Sequence, residues 1–240
     1  MRLGKLLRAV GLTSSLVAAL AVLGAPPANA AYPLRSPQVP LQTGWDGISL
    51  QTYLNSVGET LNTLTQQLDL ETWQATNLGA MFTLKVEIAG YADQNNIGIY
   101  NASESTPTTF QVFPGAASQG WYALCVFSGG GHLAVSLYDN SNALQGTTTY
   151  TGVDASNFGF YLQGPGGMFY SQDARNPGGH PQILTYAGTN QYTGMFWECF
   201  EDLPYASSDV DFQDAVLTLQ SIAPTPTRGT TWGSLKSLYR

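Results

Sequence analysis

Phe82-Thr-Leu-Lys-Val-Glu-Ile88 alternates without a break. Phe82, Leu84, Val86 and Ile88 fall on one side of an extended chain, and Thr83, Lys85 and Glu87 on the other. That is a strand with one buried face. Working outward, Gly90-Tyr-Ala-Asp-Gln-Asn-Asn96 reads as a turn into a short strand over 97–100. Further strands are expected around 109–113, 120–127, 132–138, 157–162, 168–171, 182–187, 191–200 and 215–222. Gly129-Gly-Gly131, Asp139-Asn-Ser-Asn142 and Gly164-Pro-Gly-Gly167 punctuate them. Many short strands with such breaks predict an all-β antiparallel sandwich of jelly-roll type, spanning 82–222.

Upstream the period changes. Leu50, Tyr53, Leu54, Val57, Leu61, Leu64 and Leu68 recur at three- and four-residue steps, which predicts one N-terminal amphipathic helix over 49–68, with a connection to 81. Residues 31–48 contain three prolines after Ala31 and little periodicity, and read as a leader or linker. The first thirty residues have a basic head (Arg2, Lys5, Arg8), an apolar run from Leu16 to Leu23, and small residues at Ala28 and Ala30. That pattern predicts a signal peptide cleaved after Ala30, hence a secreted or surface location. The apolar run falls short of the roughly 20 residues of a membrane span, and stable membrane insertion is not expected. At the other end, 223–240 reads as a linker and short tail in which Trp232, Leu235 and Leu238 share a helical face.

Without residues 1–30 the chain keeps six basic and sixteen acidic residues, a formal charge of −10. Nucleic acid, whose phosphates demand Lys and Arg, is excluded as a partner; divalent cations, neutral glycans and surface proteins are compatible. Export also permits a disulfide between Cys125 and Cys199, worth about 4 kcal/mol for so long a loop. Two buried free thiols are the other reading, and the sequence leaves both open.

Acid is concentrated in Trp197-Glu-Cys-Phe-Glu-Asp-Leu-Pro-Tyr-Ala-Ser-Ser-Asp-Val-Asp-Phe-Gln-Asp214. Glu198, Glu201, Asp202, Asp209, Asp211 and Asp214 face no Lys, Arg or His within that stretch. Two such charges 4 Å apart repel by roughly 4 kcal/mol at an effective dielectric of 20. They must splay into water or enclose a cation, and hard oxygen ligands without Cys pairs or His point to calcium. An EF-hand is excluded, since Asp214 and Gln220 stand where its Gly and bidentate Glu belong. Asp209 and Asp211 point one way along a straight strand and Asp214 the other, so convergence requires a bend or a loop.

Three blocks carry a resemblance: Ala89-Gly-Tyr-Ala-Asp-Gln-Asn-Asn-Ile-Gly-Ile-Tyr100; Phe158-Gly-Phe-Tyr-Leu162 with Met168-Phe-Tyr-Ser171; and Phe200-Glu-Asp-Leu-Pro with Ser208-Asp-Val-Asp-Phe-Gln-Asp214. Together they resemble the bacterial exported family known as domain of unknown function 4114, with Gln213 where that family usually has Asn. The resemblance implies a β-rich module on secreted or surface proteins, adhesive or structural, with no reaction. It implies calcium at Asp209, Asp211 and Asp214, then Glu201 and Asp202, with Asp93 as a further metal ligand beside Asn95 and Asn96. Beside it, turn chemistry alone explains Asp and Asn at 93–96. His132 and His180 read as turn residues, and no Gly-x-Ser-x-Gly elbow or phosphate loop is present. Two alternatives are a glycan-binding module using exposed Tyr and Trp, and a glycoside hydrolase using Glu198 and Glu201. The expected function is a non-enzymatic, calcium-stabilised module.

Overall fold

The computed structural model describes residues 32–44, 46–87 and 91–225. The signal-peptide expectation and the tail beyond 225 lie outside them, whereas 223 and 224, expected as linker, belong to a strand. One short helix and thirteen strands follow in order: α1 Leu50–Ser56, β1 Trp73–Ala75, β2 Gly79–Val86, β3 Asn96–Asn101, β4 Thr109–Phe113, β5 Tyr122–Ser128, β6 His132–Tyr138, β7 Leu144–Tyr150, β8 Phe158–Gly164, β9 Gly167–Tyr170, β10 Ile183–Ala187, β11 Phe196–Phe200, β12 Ala215–Gln220 and β13 Ile222–Pro224. They build two antiparallel sheets, β10-β11-β12-β2-β5-β6-β7 and β13-β1-β8-β3-β4, with β9 added beside β8. The expected all-β sandwich with one N-terminal helix is what forms.

Alternation fills the interior. Phe82 and Leu84 of β2, Cys125 and Phe127 of β5, and Leu217 and Leu219 of β12 meet Phe158, Phe160 and Leu162 of β8 in one apolar core. Aromatic rings bridge the sheets edge-to-face, Phe82 to Phe160 at 5.3 Å and Trp73 to Phe196 at 4.7 Å. The odd positions of β11 and the even ones of β12 face outward, where Trp197, Cys199 and Val216 form a second apolar cluster with Leu184, Tyr186, Leu50 and Leu54. The N-terminal segment covers this outer face. It is not a loose linker: Val39 is buried, Arg35 donates its N–H to the Gln67 carbonyl at 2.9 Å, and Gln42 donates to Val210 at 3.0 Å.

The helix is seven residues long, not the twenty of the apolar spacing. Ser49 caps it, accepting the Thr52 N–H at 3.2 Å. Its end is a Schellman motif: Gly58 sits at φ +92, its N–H donates to Asn55 at 3.1 Å, and Glu59 N–H donates to Leu54 at 3.0 Å. Past that stop the apolar residues part company. Leu61 joins the outer cluster, Leu64 is exposed and Leu68 enters the main core. What holds 59–68 is polar. Buried Glu59 accepts the Trp197 indole N–H at 2.6 Å, the Thr189 N–H at 2.9 Å and the Thr189 hydroxyl. Buried Gln67 spans Val39 with both ends of its amide, at 2.7 and 2.8 Å.

Cys125 and Cys199 are free and buried, one in each apolar cluster. Their side chains occupy opposite faces of the same sheet, so a bridge between them is ruled out in this fold.

Candidate metal centre

The register Phe200↔Ala215 makes residues 201–214 the connection between β11 and β12. Both ends of the acidic corner are therefore held by one strand pair. Inside the loop, Val210 and Phe212 adopt φ +57 and +56. Left-handed backbone at non-glycine residues costs roughly 1–3 kcal/mol each, most at a β-branched one. Their side chains are buried in the outer apolar cluster, which holds the two turns in place. This is the bend the carboxylates require, with one left-handed residue before Asp211 and one between Asp211 and Asp214.

The bend gathers Glu201, Asp209 and Asp211, each offering one carboxylate oxygen within 4.8 Å of the others. Glu201 is fully buried. Its Oε1 accepts the Phe212 N–H at 2.7 Å, whereas Oε2 has no hydrogen-bond partner. Burial pushes the Glu201 carboxyl up to about 8, and the charges of Asp211 and Asp209 add to it. Burial raises Asp211 as well, with Asp209 again contributing. An unpartnered oxygen on a buried acid beside two more acids is expensive without a cation.

Asp202 and Asp214 lie just beside this trio and pair with one another. The Asp202 N–H donates to Asp214 Oδ2 at 2.8 Å, and Asn95 Nδ2 donates to Asp202 Oδ2 at 2.9 Å. Burial, then the charges of Asp202 and Glu201, raises Asp214. Gly166 of the β8–β9 turn touches this pair closely, since a Cβ there would stand 1.9 Å from the Asp202 carbonyl oxygen. Asp93 is exposed and does not join the trio. Glu87 is raised to about 8 by burial and by the charges of Asp202 and Asp93. Glu198 points inward among core residues, accepting the Thr185 hydroxyl at 3.1 Å, so it does not face Glu201.

Sequence reading missed the wall supplied by the N-terminal segment. The Gln213 amide donates to Asp211 Oδ2, Asp46 Oδ1 and the Ile48 carbonyl, each at 3.0 Å, and leaves its own buried oxygen unpartnered. Gly44 makes room for this, because a Cβ would stand 2.0 Å from the Gln213 nitrogen and 2.2 Å from Asp211 Oδ2. Nothing in the sequence ties Gly44 or Asp46 to residues so distant in the chain. Comparison with family models, curated proteins and solved structures finds no match to this chain.

Proposed function

We propose that the chain is a secreted, non-enzymatic β-sandwich module stabilised by calcium held at Glu201, Asp209 and Asp211. Two observations carry this: Glu201, Asp209 and Asp211 each bring one carboxylate oxygen within 4.8 Å of the others, and Glu201 also buries an oxygen without a hydrogen-bond partner. Three carboxylates suit a hard cation that takes six to eight oxygens and completes its shell with water and carbonyls. The ion would supply charge neutralisation and nothing reactive. It would offset both the repulsion among the acids and the two left-handed residues, so that binding free energy becomes folding free energy. Asp202 and Asp214 support the trio from beside it, and Gln213 fastens the same loop to Asp46. The resemblance to domain of unknown function 4114 favours an adhesive or structural role outside the cell. Thermal unfolding with calcium and then with EGTA tests the reading. A higher midpoint in calcium is expected; an unchanged midpoint overturns it.

A further inference from the structure

A second feature borders the acidic loop at Tyr205. Three segments that are remote in sequence, 35–40, 173–181 and the turn at Tyr205, enclose a cleft of about 350 Å³. That volume is at the lower end of the roughly 300–1,000 Å³ of small-molecule sites. One wall is a pair of parallel rings, His180 and Tyr205, with centroids 4.6 Å apart and planes 6° apart. Facing polar groups are Asp69, Asp173 and Arg35, and the last two form the one ion pair among the described residues.

These groups restrict the ligand. Arg35 is neutralised by Asp173, which leaves the exposed carboxylate of Asp69 and a net negative lining. Anions are disfavoured there. A purely apolar ligand would strand the carboxylates, which are acceptor-only and offer about four lone-pair sites each. Flat ring faces favour C–H surface, and carboxylates favour several hydroxyl donors at once. One compound class presents both on a rigid ring. We propose that this cleft binds a neutral saccharide unit, with one outer face of the stacked Tyr205–His180 pair as its platform and Asp69 and Asp173 as hydroxyl acceptors.

The test is calorimetric titration of the mature protein with methyl glycosides and disaccharides of neutral hexoses, after a neutral-glycan array has chosen among them. Tyr205→Ala and Asp69→Asn are each expected to weaken binding by about tenfold or more. Tyr138→Ala is the control; it breaks another parallel pair, Tyr122 and Tyr138 at 5.1 Å, on strands that do not line the cleft. Asp69 is exposed, so its variant keeps the test open if Tyr205→Ala misfolds. Four results overturn the proposal: no neutral saccharide bound, full affinity in Asp69→Asn, loss of binding in Tyr138→Ala, or preference for an amine of similar size. A calcium-raised melting midpoint without saccharide binding overturns this inference alone and leaves the cation reading standing.

Discussion

Glu198 and Glu201 stand three residues apart and have opposite surroundings. Glu201 ends in the acidic trio, so Glu201→Gln is expected to abolish the calcium response. At calcium a hundredfold above Kd the lost stabilisation is about 2.7 kcal/mol, or roughly 5–10 °C in midpoint for a chain of this size. In EGTA the same variant should melt no lower than the parent, because it removes a buried acid with an unpartnered oxygen. Paired melts of parent and variant, with and without calcium, measure both effects. Glu198 is instead enclosed by the core, and burial raises its carboxyl well above the usual range. A raised acid stabilises the fold below its unfolded value near 4.5, and that contribution is lost as pH rises toward the folded value. Glu198→Gln should therefore flatten the decline in stability from pH 5 to pH 9, read by urea denaturation in EGTA. Charge density in the sequence pointed to all six acids from Glu198 to Asp214, and the resemblance put Asp209, Asp211 and Asp214 ahead of Glu201. Density alone could not separate Glu198 or Asp214 from the trio, because which way a side chain turns depends on strand register and on the bends of the loop. Nor could it reveal Asp46 and Gly44, which reach the loop only through tertiary packing.

At the scale of elements, polar anchors replace the helix that the apolar spacing promised. Gly58 stops the helix at φ +92, but Leu61, Leu64 and Leu68 continue the apolar period by serving three different surroundings. Glu59 explains why the chain leaves the helix there: its carboxylate collects donors from Thr189 and Trp197 across the outer face. Glu59→Ala leaves those buried donors without an acceptor, at about 1–3 kcal/mol each. A loss of about 3 kcal/mol is expected in urea unfolding, equal in calcium and in EGTA, which distinguishes this anchor from the metal centre. β7 was missed for the opposite reason. Its Leu-Gln-Gly-Thr-Thr-Thr-Tyr run is exposed along almost its whole length and so carries no alternation. Gln220 and Ile222 lie within one expected strand, yet Ser221 at φ +60 breaks it and sends β13 to the other sheet.

For the whole molecule, the two-sheet sandwich was legible because both inner faces follow period two, from Phe82 through Leu219. The cysteines were not, since pairing depends on which cluster each side chain enters. Both thiols should therefore titrate with Ellman's reagent in guanidinium without prior reduction, and neither should react in the native state; a mass gain of two protons on reduction would contradict this. The chain's crossing at Ser221 also has a mechanical meaning. A tensile load entering at Thr225 meets β13 first, which is held to β1 by only the three-residue register Trp73↔Pro224 to Ala75↔Ile222. Pulled away from that edge, its hydrogen bonds open one after another, at low force. The load then reaches β12, clamped between β11 and β2 in the seven-stranded sheet and held by five register pairs on either side. The C-terminal end of the sandwich is thus built as a short compliant strand in series with a strong one, and it yields a little before it holds.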